Sequence, residues 1–498
     1  MAWQISYEFL GGTADGQNMT GSCTLLSFIG DRKNFRILID AGLIQTINPR
    51  KFFEENLKIL SRLNLKQLDV IVVTHAHADH ALLLALLVRH GFKGRIICTK
   101  ETAKIIPRAL NDSVKIQAED SRSLNKEKAG RVRIIKGRRV DKFAPLYNAE
   151  DVQDTCKLIL KSGFAYNKWY SLIGKELFIK FYKSGHMIGG AICVIRLECE
   201  DKKYRYFGFT GDLGRQDGLI LAAPQLIKDP LDVLVIESTY GDKSHPDRAL
   251  ELPKLFELIK ESYRKKGRII IPAFALHRTQ ELLYLLSYHM HSGEIPKMPI
   301  YADSPSAAGY TQIYAESWRE GKFTKAKELK FNPFCQKSNK FLTIITNPNE
   351  STLLAKSKKS CIIISSSGMC NAGRVKNHLQ FALRRPEVAV CLVGYMSHNT
   401  LGGILKNGSR VVKVNGYQTQ VNANIVAFSS FSGHADGPEL SAYAEAVLKK
   451  KQNLVAGPRV VFITHGEASG AAALKAKLDQ SLENAKVLVP KLNEKHFV

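Results

Sequence analysis

Short apolar runs that end on a single histidine or aspartate, with glycine close by, recur along the whole chain. Asp69-Val70-Ile71-Val72-Val73-Thr74 reads as a buried strand, and Ala81-Leu82-Leu83-Leu84-Ala85-Leu86-Leu87-Val88 as a packed helix. Between them lies His75-Ala76-His77-Ala78-Asp79-His80. Phe35-Arg36-Ile37-Leu38-Ile39 runs into Asp40-Ala41-Gly42, and Ser184-Gly185-His186 separates two further apolar runs. Tyr204-Arg205-Tyr206-Phe207-Gly208-Phe209 leads to Thr210-Gly211-Asp212, and Arg459-Val460-Val461-Phe462-Ile463 to Thr464-His465-Gly466. Strand-like and helix-like segments alternate throughout, with helical periodicity clearest over 280–287 and 440–448, so the predicted class is α/β. Residues 111–150 are polar and basic with little periodicity before Pro145-Leu146-Tyr147, and are predicted to leave the core.

Composition narrows the partner. A length of 498 residues allows two or three domains, and 45% hydrophobic with 24% charged residues is ordinary for a globular chain. The 72 basic and 46 acidic side chains give a formal charge of +26, which suits a polyanion such as nucleic acid; a solvated basic face is the alternative. Basic clusters stand at 126–139, 264–266, 356–359 and 449–451. Nine scattered cysteines without a Cys-x-x-Cys pair argue for reduced thiols and a cytoplasmic chain. No run approaches the roughly 18 apolar residues of a membrane span. The first ten residues read as a strand rather than a leader.

Three imidazoles and a carboxylate crowded into one strand-to-helix turn are costly to desolvate without partners, but they make good ligands for two metal ions. His75 and His77 lie on the same side of an extended segment and can grip one ion; Asp79 and His80 turn away and can hold a second. Asp40, His186, Asp212 and His465 supply further ligands at strand ends. Each alone is an ordinary turn residue; the recurrence of the pattern carries the weight. All the donors are nitrogen or carboxylate oxygen, which suits zinc, with manganese or iron also fitting. Asp212 can bridge two ions. Water held there would lose a proton near pH ~7 and become a nucleophile.

The ordered set Asp40, His75/His77/Asp79/His80, His186 and Asp212 resembles the metallo-β-lactamase superfamily, whose fold serves many hydrolyses. Later runs resemble its β-CASP branch of nucleases. Val235-Ile236-Glu237-Ser238-Thr239-Tyr240-Gly241-Asp242 matches the first additional motif, Ser432-Gly433-His434-Ala435-Asp436 the second, and Thr464-His465-Gly466-Glu467 the third. Pro272-Ala273-Phe274-Ala275-Leu276-His277-Arg278-Thr279-Gln280-Glu281 and Val393-Gly394-Tyr395 are also family-like. A histidine at the third motif is typical of RNA-acting members, where DNA-acting ones usually carry valine. The match is nearest to single-chain bacterial and archaeal RNases related to the endonuclease subunit of the cleavage and polyadenylation machinery. Gly433 stands where the family often has alanine, and the 11–21 loop and the His434-to-His465 interval are longer than the usual pattern.

The resemblance implies an αββα metallo-β-lactamase domain, 1–238 and 425–498, with an α/β β-CASP cap inserted at 239–424. Further domains before or after this core are not expected. It implies two zinc ions (manganese fitting as well). His75, His77, His186 and Asp212 would hold one; Asp79, His80, His465 and Asp212 the other. Asp40 would orient the histidines, His434 would protonate the departing 3′ oxygen, and Glu237 would position it. Cys361-Ile362-Ile363-Ile364 reads as a strand before a Ser365-Ser366-Ser367-Gly368 turn and a helix opening near Asn371 or Gly373. That turn is a helix cap or, as the resemblance favours, a phosphate pocket completed by Arg374 and His378. The implied partner is single-stranded RNA and no membrane, with a homodimer left open as the assembly state. Competing readings are a DNA phosphodiesterase, a non-catalytic RNA-processing scaffold and a glyoxalase-type hydrolase.

Overall fold

The computed structural model describes the chain apart from residues 1–2, 17–18, 47, 128–132, 136–137, 141–142, 161–162, 200–202, 325–327, 395 and 450–458. Tyr395 and the basic side chains at 128–139 and 450–451, singled out in the sequence, therefore lie outside the described residues. Two units are present. The first comprises Met1–Gln216, Ala223–Ser244 and His434–Val498; the second comprises Asp217–Ala222 and His245–Gly433.

The first unit is built on two sheets. One orders its strands as Lys495–Phe497, Gln4–Gly11, Cys23–Ile29, Asn34–Ile39, Val70–Val72 and Arg95–Ile97. The other runs Ala485–Leu488, Arg459–Thr464, Val233–Glu237, Tyr204–Phe209, Ala191–Glu198, Leu177–Lys183 and Tyr170–Ile173. Alternate apolar residues of both sheets, among them Tyr7, Phe9, Phe28, Phe207 and Phe462, form one core cluster between them. Each such side chain contributes roughly 1.5–3 kcal/mol by leaving water. The opposite face of the second sheet buries Val194, Leu234, Ile236 and Val461 against the helices Gly437–Leu448 and Ala468–Ser481. Tyr204–Phe209, Val233–Glu237 and Arg459–Thr464 are parallel neighbours, so Asp212, Glu237 and His465 gather at one end of that sheet.

The second unit holds a six-stranded, wholly parallel sheet, ordered Leu342–Ile345, Ile300–Asp303, Cys361–Ser365, Arg268–Pro272, Val388–Val393 and Asn424–Phe428. Its central strands, Cys361–Ser365, Arg268–Pro272 and Val388–Val393, are buried along their whole length, as strands covered on both faces are. Asn424–Phe428 completes this sheet, and the unit continues to Gly433, where the sequence reading put the insert's end at 424.

Two local expectations differ from the structure. Residues 111–127 do not leave the core: they continue a 28-residue helix, Lys100–Glu127. Ile105, Ile106 and Leu110 are buried in its first half, but the buried residues beyond them are polar, which hides the period. Ser113 accepts the Tyr147 hydroxyl at 2.8 Å, Gln117 accepts the Leu146 N–H at 2.9 Å, and Ser121 donates to the Phe143 carbonyl at 2.5 Å. The expected helix over 81–88 is two pieces, Ala78–Ala81 and Leu84–Arg89. The break falls where the Leu83 N–H leaves the helical ladder to bond the Ala41 carbonyl at 2.8 Å.

Candidate metal centre

The histidine-rich turn is held by main-chain bonds before any side chain acts. Ser22 N–H donates to the Asp79 carbonyl at 2.8 Å, Ala41 N–H to that of His80 at 2.8 Å, and Leu43 N–H to that of Ala78 at 2.9 Å. Gly42 permits this approach, since a Cβ there would sit 1.8 Å from the Asp79 oxygen. Gly214 does the same for the His186 loop, where a Cβ would meet the Gly185 carbonyl group at 2.2 Å.

Asp40 sets two of the rings. Its backbone takes a left-handed φ of 60°, unusual outside glycine and a conformation that clusters at functional sites. Its Oδ1 accepts the Thr74 N–H at 2.7 Å, and its Oδ2 accepts the Thr74 hydroxyl at 2.8 Å. Oδ2 also lies 2.7 Å from His80 Nδ1. A carboxylate accepts, so His80 Nδ1 carries the proton and Nε2 presents its lone pair. Thr74 gives its hydroxyl proton to Asp40, so its oxygen accepts from His75 Nδ1 at 3.1 Å and fixes the same tautomer there.

The exposed lone pairs converge in two groups. His77 Nδ1 lies 3.1 Å from His75 Nε2 and 3.0 Å from His186 Nε2. Asp212 Oδ2 is 3.3 Å from His75 Nε2 and 3.5 Å from His186 Nε2. In the other group His80 Nε2 lies 3.1 Å from Asp212 Oδ1 and 3.4 Å from His465 Nε2, which is 3.3 Å from Asp79 Oδ2. The donors of His75, His77, His186 and Asp212 lie within 4.8 Å of one another, as do those of Asp79, His80 and His465, and those of Asp212, Glu237 and His465. Asp212 Oδ1 is buried without a hydrogen-bond partner, the place where a cation fits. The residues therefore suit two nitrogen- and oxygen-ligated metal ions sharing Asp212.

Charge in the site follows from burial and neighbours. Burial and the adjacent His80 lower the His75 pKa; burial and His75 lower that of His77 further; burial and His434 do the same to His186. All three are thereby kept neutral, the form that binds metal. Burial works against charge on His80 and His465 too, but Asp212 outweighs it, with Asp40 at His80 and Asp79 at His465, so both are raised, and an ion at Nε2 would displace the proton that the carboxylates otherwise favour there. Burial alone would raise Asp212, yet His465, His80 and His75 hold it well below the usual carboxylate range.

Beside this cluster stands His434, its ring centroid 4.5 Å from that of His186. Its Nδ1 lies 3.3 and 3.2 Å from the two carboxylate oxygens of Glu237. Glu237 is itself fixed by the Leu213 N–H. Burial would lower the His434 pKa, but the charge and hydrogen bond of Glu237 push it up to about 9.

The residues expected to hold a phosphate gather in the second unit around a side chain the sequence reading missed, Asp303. Ser365 is buried and donates to the Asp303 carbonyl at 2.8 Å. Ser366 Oγ is buried without a hydrogen-bond partner, Ser367 Oγ accepts the Ala372 N–H at 3.3 Å, and Gly368 backs onto Phe274. Arg374 donates to Asp303 Oδ1 at 2.7 Å and to the carbonyls of Ile345 and Thr346 at 3.2 and 2.6 Å. The expected RNA contact by His378 is corrected: it is fully buried, with Nε2 2.6 Å from Asp303 Oδ2, and serves the unit's interior. The helix opens at Val375, after Arg374. Asp303 was legible as an apolar strand ending in aspartate, the pattern already used for Asp40 and Asp212.

Burial raises the Asp303 pKa, but hydrogen bonds from His378, Ser351 and Arg374 outweigh it and leave it lowered. Its stabilisation is thus present above the ordinary carboxylate range and lost as pH falls through the lowered value. Asp303→Ala takes the buried carboxylate from Arg374 and His378 and is expected to cost about 3 kcal/mol, read from the urea midpoint at neutral pH.

Comparison with known proteins agrees with this architecture. Residues 19–153 match the profile of the metallo-β-lactamase superfamily, 279–405 the β-CASP domain, and 419–490 the Zn-dependent metallo-hydrolase RNA specificity domain. The chain belongs to the β-CASP branch of the metallo-β-lactamase superfamily. A ribonuclease of Thermus thermophilus is 28% identical over 463 residues, which is 92% of this chain and 93% of the relative. An RNase J-like protein of Methanocaldococcus jannaschii is 29% identical over 436 residues, 87% of each chain. A transcription termination factor of the same archaeon is 25% identical over 479 residues, 93% of this chain and 67% of its own length. Among the described residues no helix of this β-CASP protein is long and apolar enough to cross a membrane.

Proposed function

We propose that this protein is a metal-dependent ribonuclease that hydrolyses phosphodiester bonds of single-stranded RNA. The observation that carries the reading is Asp212, which presents one oxygen to each of two imidazole groups beside the His434–Glu237 pair. The ribonuclease and RNase J-like names of relatives that align over most of the chain support RNA as the substrate. His75, His77, His186 and Asp212 would hold one ion, and Asp79, His80, His465 and Asp212 the other. Two such ions, zinc or manganese, would supply a hydroxide near neutral pH and stabilise charge on the phosphoryl oxygens.

The chain's own groups do the rest. Asp40 keeps His80, and through Thr74 also His75, in the tautomer that leaves Nε2 bare. His434, pushed up to about 9, carries a proton at neutral pH and gives it to the leaving 3′ oxygen. Glu237 orients that ring and retains its charge balance. Products are a 5′-phosphate and a 3′-hydroxyl, with endonucleolytic cleavage expected. The 365–368 turn would take a backbone phosphate, with the charge of Arg374, held in place by Asp303, beside it. The nine free cysteines fit action in a reducing, cytoplasmic setting.

Matched RNA and DNA strands of one sequence, at one salt concentration, test the substrate. RNA should be cut well ahead of DNA, the 2′-hydroxyl and sugar geometry near the metals supplying the discrimination, since the two backbones carry the same charge. Binding of both should weaken steeply as salt rises. Equal or faster cleavage of DNA would replace the ribonuclease reading with a DNA phosphodiesterase using the same metals.

A further inference from the structure

Asp40 stands 2.7 Å behind the His80 ring, whereas the carboxylate nearest His465 Nδ1 is Asp212 Oδ1, at 3.4 Å. What stands behind the His465 Nδ1 is the hydroxyl of Thr239, 3.2 Å away, and that hydroxyl also lies 3.4 Å from the His465 carbonyl oxygen. A carbonyl can only accept, so Thr239 gives it the hydroxyl proton and turns a lone pair toward the ring. Nδ1 then carries the hydrogen, and Nε2 is left bare toward Asp79 Oδ2 and His80 Nε2, at 3.3 and 3.4 Å. We propose that Thr239 is the positioning residue that makes His465 a metal ligand, so that one of the two ion sites depends on its hydroxyl. The inference rests on the two-metal reading above.

The geometry also says what happens without the hydroxyl. Nδ1 lies 3.4 Å from Asp212 Oδ1. With Thr239 silent, the ring hydrogen turns to that oxygen and occupies the carboxylate needed by the ions. The main chain does not need the hydroxyl to stay in place. His465 N–H donates to the Gly12 carbonyl at 2.7 Å, Ser238 N–H to the His465 carbonyl at 3.0 Å, and Ser238 Oγ to the Thr464 carbonyl at 3.0 Å. These bonds hold the left-handed His465 backbone, φ 50°, in the absence of the threonine side chain. Thr239 therefore acts on the ring and not on the fold.

The test compares wild type, Thr239→Val and Thr239→Ser as full-length proteins equilibrated with cobalt(II) over a buffered range of free metal, counting bound ions and following the d–d absorption. Thr239→Val should need on the order of 10–100-fold more free metal to fill one of the two sites, with the other unchanged. Thr239→Ser, which keeps the hydroxyl, should return to within a few-fold of wild type, and the metal-free proteins should melt alike in all three cases. Should valine impair folding, Thr239→Ala carries the same comparison. Wild-type filling of both sites by Thr239→Val, or a serine variant as weak as valine, would overturn the proposal. A wild type that binds a single ion defeats the two-metal reading instead; Thr239 falls with it only if its valine variant leaves that ion's affinity unchanged.

Discussion

Asp212→Ala is expected to lose both ions and to lower turnover by on the order of 10³-fold or more, at or beyond the upper range for removing one electrostatic stabiliser. The magnitude follows from placement. Asp212 Oδ2 faces His75 and His186 while Oδ1 faces His80 and His465, so one substitution opens both cages. It also removes the negative charge that offsets the imidazoles around it. His77→Ala, by contrast, touches a single nitrogen group and should spare the ion held by Asp79, His80 and His465. Elemental analysis of the two variants separates the cases. An Asp212→Ala protein that kept two ions would show that the carboxylate is not shared.

His434→Ala should keep its metals and still lose activity, on the order of 10²–10⁴-fold if the ring is the proton donor. Its Nδ1 is committed to Glu237 and it belongs to neither cage. Glu237→Gln should act in the same direction through the proton. Glu237 is what holds the His434 pKa up against burial, so its loss lowers that pKa. The imidazolium is the active form, so activity falls as pH rises through the His434 pKa, and in Glu237→Gln that fall comes at lower pH. A pH–rate profile of the two proteins at saturating metal checks this. Metal loss on His434→Ala would make His434 a ligand; an unchanged rate would remove it from the chemistry.

The α/β class and the metallo-β-lactamase and β-CASP architecture were legible because the strands that carry the site are unbroken apolar runs ending in one charged residue. The six histidines that the sequence assigns to the metals and to acid catalysis lie in one cluster with Asp40, Asp79, Asp212 and Glu237. What escaped reading was polar and structural. Beyond Leu110, Lys100–Glu127 packs through Ser113, Gln117 and Ser121, so no apolar period marks that stretch. His378 follows a serine turn and an arginine as a phosphate ligand would, but its ring is taken by Asp303, 75 residues earlier. Thr74 and Thr239 are neighbours of motif residues whose role lies in which atom of a ring they face. Periodicity does not record that, and only the folded distances do.

The central claim is metal-dependent hydrolysis of RNA, and cleavage of an internally labelled single-stranded RNA tests it most directly. The purified protein is assayed as isolated, after chelation and dialysis, and after zinc or manganese is returned, with the new ends identified. The account predicts fragments bearing 5′-phosphate and 3′-hydroxyl ends, formed before chelation, absent after it, and restored with the metal. Cleavage that survives chelation, or that leaves 2′,3′-cyclic phosphate ends, would contradict it.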